Sequence, residues 1–216
     1  MIQAVIFDHD GTLVESEGRH FELWQKILQP FDIAFQAEEY IREHAGIPTL
    51  KNAERLVEKY RLALSAEELY AIKEKEVRSS LHGVAFDLLP GVIESMQAFK
   101  DADLKMAIAT GAGQTEVRSS IQAHGFDRFI EHTATSDEVE NGKPAPDVYL
   151  LAAKKLGIAP ENCIAIEDSN NGLQSAIAAG MPCIVVRNPW SAAPRYDGAL
   201  AVFNSMTEAQ DYILRA

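Results

Sequence analysis

The chain has 216 residues, 47% hydrophobic and 24% charged, an ordinary globular balance with length enough for one core and an insert. Its formal net charge of -12 excludes a general nucleic-acid binder, which needs a basic face, and means that an anionic ligand must be met by a local cation. No window approaches the length of a membrane-spanning helix and no secretory leader opens the chain, so the expectation is a cytoplasmic protein without membrane or nucleic-acid partners, monomeric or weakly oligomeric.

The first element is the run Ala4-Val5-Ile6-Phe7, too apolar to face water on either side, which predicts a buried parallel strand. Asp8-His9-Asp10-Gly11-Thr12 follows it directly. From residue 15 to residue 84 the pattern is helical and carries no strand signal. His20, Phe21, Trp24, Ile27 and Leu28 recur at helical spacing until Pro30. Residues 36–44 predict a second helix, ended by Gly46. Residues 49–62 predict a third, with Leu50, Ala53, Leu56, Val57 and Tyr60 on one face. Ser65-Ala66-Glu67-Glu68 is a capping box that opens a fourth, running to about His82. The block reads as a small helical bundle inserted after the first strand.

Beyond Phe86, strands and helices alternate. Strands are predicted over 104–109, 129–132, 163–166, 183–186 and 199–203. Helices are predicted over 115–124, 146–156 and 170–179, closed by Gly125, Gly157 and Gly180, and Ser205 caps a last one. Residues 86–103 carry no named element. This alternation predicts an α/β fold with a doubly wound parallel sheet, helices covering both faces. Cys163 and Cys183 each open an apolar run and read as small buried side chains rather than a redox pair.

In such a sheet the carboxyl ends of the strands share one edge, where ligands bind. Asp8 and Asp10 fall there, as do Thr110-Gly111, Glu167 and Asp168, with Lys143 reaching in from the loop Asn141-Gly142-Lys143-Pro144. Crowded carboxylates are costly to desolvate unless a cation or proton is shared, and Mg²⁺ is the simplest cation to share. The residue types suit phosphoryl transfer. Asp8 can attack phosphorus and hold a metal through its other oxygen, while Asp10 is placed to protonate a leaving alcohol and later to deprotonate water. Thr110 and the Gly111 N–H can donate to phosphate oxygens, Lys143 supplies positive charge, and Asp168 with Glu167 completes an oxygen shell.

These segments, Asp8-His9-Asp10-Gly11-Thr12-Leu13, Thr110-Gly111, Gly142-Lys143-Pro144 and Glu167-Asp168-Ser169-Asn170-Asn171-Gly172, resemble in order and separation the signatures of the haloacid dehalogenase superfamily of phosphohydrolases. The resemblance covers the whole chain and is to the β-phosphoglucomutase-like branch in particular. It implies a Rossmann-like core over 1–14 and 85–216, an α-helical cap over 15–84, a Mg²⁺ cofactor and a phospho-aspartyl intermediate at Asp8. It also implies metal ligation by Asp8, Asp10, Glu167 and Asp168, Asp10 acting through its backbone carbonyl while its side chain is the acid/base.

The implied activity is a phosphatase acting on a small phosphorylated metabolite. A sugar-phosphate mutase is the alternative, and a non-catalytic phospho-ligand sensor a third. Mutases of the branch carry an arginine shortly after a cap glycine; here Gly46-Ile47-Pro48-Thr49-Leu50 has none. Asp10 argues against a dehalogenase, and intact Asp8 and Lys143 argue against the sensor. His9 stands where the family has an apolar residue and is expected to point away from Asp8 and Asp10, in a supporting role such as a backbone hydrogen bond. His20 is open between cap core and substrate contact. Trp24 reads as cap core; Lys73 and Lys75 fall where some relatives of the branch place a substrate-binding cap lysine, and read as solvated helix lysines.

Overall fold

Ala4-Val5-Ile6-Phe7 is buried at every position, and this strand, β1 (Ala4–Phe7), lies at the centre of a six-stranded sheet. The structure is a computed structural model describing residues 1–80, 85–191 and 195–215. The other strands are β2 (Lys105–Ala109), β3 (His132–Ala134), β4 (Cys163–Glu167), β5 (Cys183–Val186) and β6 (Ala201–Phe203). Their order is β3-β2-β1-β4-β5-β6, and every pairing is parallel.

The apolar runs have no polar alternation because helices cover both faces. Val5, Phe7, Met106, Ile108, Ile164 and Ile166 pack beneath α5 (Val92–Asp101), α6 (Gln114–His124) and α9 (Met206–Arg215). Ala4, Ile6, Ala107, Ala109 and Ala165 face the other way, where their small side chains meet Tyr149 and Ala152 of α7 (Asp147–Leu156) and Leu173 and Ala176 of α8 (Asn170–Ala178). The sheet is therefore doubly wound. The chain steps from β1 to β2 and β3, then returns to β4 on the other side of β1. The crevice between the ends of β1 and β4 is the topological switch point, where open α/β sheets bind their ligands.

Between β1 and α5 the described residues form four α-helices: α1 (Glu17–Leu28), α2 (Ala37–Glu43), α3 (Thr49–Tyr60) and α4 (Ala66–Ser80). They enclose a separate apolar cluster built on Trp24, Leu28, Phe35, Tyr40, Leu56 and Leu69. Fully burying a side chain such as Leu28 or Leu56 stabilises the bundle by about 2 kcal/mol. Ser65 and Glu68 cap α4 reciprocally, each side chain bonding the other's backbone N–H. The chain crosses between bundle and sheet at two adjacent places, tied together by Glu15 N–H to Asp87 O and Leu89 N–H to Leu13 O. One core residue enters the bundle's aromatic cluster: Trp190, whose ring lies 5.5 Å from Phe21 and 5.8 Å from Tyr40.

Several sequence expectations shift. The strand expected over 129–132 begins only at His132, because the Phe126–Arg128 turn buries Phe126, Phe129 and Ile130 against the core first. The strand expected from residue 199 starts at Ala201. Leu50 is exposed, and Asn52 takes a buried place on α3 beside Ala53 and Leu56. Helix α5 went unread although Val92, Met96 and Phe99 stand at helical spacing; the β-branched pair Val92-Ile93 behind Pro90-Gly91 obscured it. The expected end of the fourth helix at His82 and the junction at residues 84 and 85 fall wholly or partly outside the described residues. Cys163 and Cys183 are both free and buried.

Candidate active site

Asp8 is the first residue beyond β1, and its N–H bonds Ile166 O on β4, which places its side chain over the switch point. There it meets Lys143, whose Nζ donates to Asp8 Oδ1 at 2.6 Å, Glu167 Oε1 at 2.6 Å and Ala109 O at 2.9 Å. Three acceptors use all three protons of the ammonium. Asp8 and Glu167 hold the lysine's pKa above its ordinary value even though burial opposes the charge. Lys143 also lies 4.9 Å from the centre of the Tyr149 ring, whose hydroxyl donates to Glu167 Oε1 at 2.8 Å.

Glu167 ends β4 fully buried. Its Oε2 accepts from the backbone N–H groups of Asp168 and Ser169 and from the Ser169 hydroxyl. With Lys143 and Tyr149 on Oε1, this carboxylate has no lone pair left over. The close approach depends on Gly172 in the first turn of α8. A Cβ there would fall 1.8 Å from Glu167 Oε1. Ser169 caps the same helix, accepting from Gly172 N–H at 3.1 Å, as its sequence position led one to expect.

Asp168 lies beside Asp8, held by Asn188 Nδ2, which donates to Asp168 Oδ2 at 2.9 Å and to Gly11 O at 2.7 Å. Gly11 has φ +78° and a Cβ there would lie 2.3 Å from Asp168 Oδ2, so glycine is required both by the backbone and by the carboxylate. Asp8, Glu167 and Asp168 each bring a carboxylate oxygen within 4.8 Å of the others. Burial first, then Glu167, pushes the Asp8 carboxyl up to about 7 against the pull of Lys143. Burial, then Asp8 and Glu167, pushes Asp168 far above the carboxylate range. One lysine thus leaves three carboxylates under-neutralised. Hard oxygen donors at this spacing, with an energetic demand for positive charge, fit a divalent cation of the Mg²⁺ type.

The Asp10 side chain does not join this cluster. Its Oδ2 lies 3.3 Å from His9 Nδ1, and the His9 ring, wholly buried, reaches Ser120 Oγ with Nε2 at 2.9 Å. His9 therefore touches Asp10 and a serine hydroxyl, where the sequence suggested a ring turned away and bonded to backbone. A carboxylate can only accept, so Nδ1 carries the proton in this contact. Burial disfavours ionisation of Asp10, but the His9 contact outweighs it and holds the carboxyl below its usual range.

Thr110 follows β2 and is buried, its Oγ1 accepting from Ala112 N–H at 3.0 Å and keeping its own proton to donate. Gly111 is exposed, with open space around its Cα. Across the gap, the bundle contributes His20, whose Nδ1 accepts from Lys73 Nζ at 2.9 Å. Lys73 is 1% exposed and lies 5.1 Å from the Trp24 ring centre, so it is a buried cation and not the solvated lysine expected; the helical pattern of α4 gave no sign of which lysine faced inward. Lys75 lies exposed on α4. Trp24 is bundle core as expected. Burial brings Lys73 down to about 8, and burial with the Lys73 charge brings His20 down to about 4. Glu17 is hydrogen bonded by the Tyr40 hydroxyl and, at 3.4 Å, by Gly46 N–H.

Sequence reasoning missed Tyr149 and Asn188, and read Lys73 as solvated. Only Asn188 had a usable signal, its place just past the fifth strand on the ligand-binding edge.

A family model of haloacid dehalogenase-like hydrolases matches residues 2–180. The fructose-1-phosphate phosphatase YqaB of Escherichia coli is 31% identical over 186 residues, covering 85% of this chain and 96% of that protein. A phosphorylated carbohydrates phosphatase of Thermotoga maritima is 30% identical over 183 residues, 83% of this chain and 82% of its own. The crystal structure of a CbbY variant from Rhodobacter sphaeroides, bound to xylulose-(1,5)bisphosphate, superposes with a TM-score of 0.75 at 27% identity and 96% coverage of both chains.

Proposed function

The chain belongs to the haloacid dehalogenase-like hydrolases, a family of phosphoric monoester hydrolases among its named relatives, and from that premise we propose that it hydrolyses a small phosphorylated carbohydrate. The reaction runs through an aspartyl phosphate at Asp8. The observation that carries this reading is the clamp on Asp8. Lys143 fixes one oxygen at 2.6 Å and leaves the other open at the switch point, a nucleophile held still beside a fixed cation.

Asp8 attacks phosphorus, the bond from phosphorus to the sugar oxygen breaks, and Asp10 gives that oxygen its proton. Asp10 then takes a proton from water, which attacks the aspartyl phosphate and frees Asp8 and inorganic phosphate. The His9 contact favours ionised Asp10 and so suits the second step. For the first step the Asp10 carboxyl has to leave His9 to carry a proton. Thr110 and the Gly111 N–H hold phosphate oxygens, and Lys143 meets the charge that spreads over them. A Mg²⁺ ion bound here would supply further positive charge. Asp8, Asp168 and the Asp10 carbonyl are the groups that would hold it. Glu167, whose lone pairs are all engaged, acts as the anchor of Lys143. The core and the helical cap form the two walls of the site, the cap over roughly residues 15–84.

The cap wall offers one carboxylate, Glu17, one imidazole, His20, and one ammonium, Lys73, and the Gly46 loop brings no arginine. That set balances in charge and suits hydroxyls more than a second phosphate. The test is phosphate release from a panel of sugar monophosphates with Mg²⁺. Asp8→Asn is expected to abolish release while the fold persists by circular dichroism. Release that survives in Asp8→Asn removes the nucleophile assignment, and transfer of phosphate to a second sugar hydroxyl instead of water replaces the hydrolase by a mutase.

A further inference from the structure

A second group of metal-type side chains lies in the cap, where α2 ends. Glu39, Glu43 and His44 each bring one ligand atom within 4.8 Å of the others, and none of them hydrogen bonds to the acidic cluster of the core. Acidic groups at a helix end need no explanation on their own. The histidine does.

His44 is 2% exposed, its ring set edge-on to Phe35 at 5.3 Å and stacked with Tyr40 at 6.4 Å. Its protonation pattern is fixed by a neighbour. Asn52 Nδ2 donates to His44 O at 2.9 Å and Ile47 O at 3.1 Å, so Asn52 Oδ1 is the atom facing His44 Nδ1, at 2.8 Å. An amide oxygen only accepts, hence Nδ1 carries the proton and the lone pair of the neutral ring is on Nε2. That atom is buried without a hydrogen-bond partner and points at Glu39 Oε1, 4.0 Å away. A buried, unpaired acceptor is costly, and a lone pair facing a carboxylate is worse still.

The carboxylates already have partners: Arg42 Nη2 lies 2.6 Å from Glu43 Oε1, and the Tyr60 hydroxyl donates to Glu39 Oε1 at 2.5 Å. Lys59 Nζ sits 3.0 Å from Glu39 Oε1 and 2.6 Å from Glu43 Oε2. It leaves Nε2 unanswered, and its side chain is 38% exposed and free to swing into water. We infer that Glu39, Glu43 and His44 form a site for a divalent cation of the Zn²⁺ class, with the Lys59 ammonium keeping the place when no metal is bound. One imidazole and two carboxylates suit Zn²⁺ or Co²⁺ better than Mg²⁺, and three protein ligands leave a fourth position for water. Asn52 is then the outer partner that fixes the ligand's tautomer. The loop that follows carries Gly46, whose carbonyl accepts from Asn171 of the core, so a cation here would stiffen the part of the cap that meets the catalytic edge.

The test is a Co²⁺ titration of the full chain in excess Mg²⁺, followed by visible absorption. One equivalent is expected to give the intense band of four-coordinate cobalt, and Zn²⁺ to displace it. Glu43→Gln weakens binding at least about tenfold, and Lys59→Gln, which removes the competing ammonium, tightens it. The band persists in Asp8→Asn, because the core site plays no part. His44→Gln abolishes the band; since His44 is buried, the more exposed Glu43→Gln, checked for native circular dichroism, carries the test if the histidine variant fails to fold. Absence of the band, equal affinity in Glu43→Gln, or loss of the band in Asp8→Asn overturns the assignment.

Discussion

Lys143 divides one charge among Asp8, the proposed nucleophile, Glu167 and a backbone carbonyl, and each partner limits what it does. Glu167 and Ala109 O fix its position, so the bond to Asp8 is a matter of geometry and not of search. Lys73 is the opposite case: a buried ammonium hydrogen bonded to a neutral imidazole. Its pKa stands at about 8 against an ordinary 10.5 because burial penalises the charge. Up to pH 8 the lysine is charged in both folded and unfolded chains and its burial costs stability. Between about pH 8 and 10.5 the folded chain releases the proton first and that cost is relieved, so stability from this group rises with pH. Binding moves the other way if the cation holds the substrate. We expect kcat/KM to fall as pH rises through about 8, and the fall to vanish in Lys73→Met; an unchanged profile in that variant would remove Lys73 from substrate binding.

At the scale of elements, the junction of β4 and α8 bears most of the site. Four consecutive positions, Ile166 to Ser169, receive Asp8, anchor Lys143, contribute the second metal-type carboxylate and cap the helix. The arrangement closes only because Gly172 leaves room for Glu167. Helix propensity alone would make Gly172→Ala stabilising by about 1 kcal/mol. The clash predicts the reverse: Glu167 is displaced, Lys143 loses its anchor, and phosphate release falls about a hundredfold, the effect of a misplacement of about 1 Å. Chemical denaturation alongside an activity assay decides between the two, and a fully active, stabilised variant would exclude the anchoring role. The same logic explains why β1 carries no polar residue until Asp8: the sheet is sealed on both faces up to its carboxyl edge, and polarity begins where the helices stop covering it.

For the molecule as a whole, the acidic cluster at the sheet edge is a stability cost that a cation can offset. The Asp8 carboxyl, pushed up to about 7 from 3.8, favours its neutral form in the fold. Its contribution is complete below the unfolded value and is lost as pH rises through the folded one, so without divalent ions this group lowers stability progressively between about pH 4 and pH 7. A divalent cation needs Asp8 ionised, so its stabilisation grows over the same window. We expect Mg²⁺ to raise the melting temperature more at about pH 8 than at about pH 5. At a hundredfold excess over Kd the gain is about 2.7 kcal/mol. Equal shifts at both pH values would detach the cation from Asp8. No described helix is long and apolar enough to cross a membrane, and with a net charge of -12 an anionic substrate would have to be met by local cations such as Lys143 and Lys73.

The sequence by itself determined the strands and the edge they share. Runs such as Ala4-Val5-Ile6-Phe7 and Cys163-Ile164-Ala165-Ile166 admit one environment, and the acidic residues that follow them are forced to the same end of a parallel sheet. Asp8, Lys143, Glu167 and Asp168 were legible for that reason, each lying a fixed step from a strand or in the loop before α7. What only the tertiary structure decided was pairing across distant segments. That Lys73 points inward, that His9 meets Ser120, that Asn188 holds Asp168 and that Asn52 fixes the tautomer of His44 all depend on which faces of separate elements come together. Helical periodicity marks a face as apolar, but it cannot say which long polar side chain on its border folds back into the interior, because that choice is made by the partner across the gap.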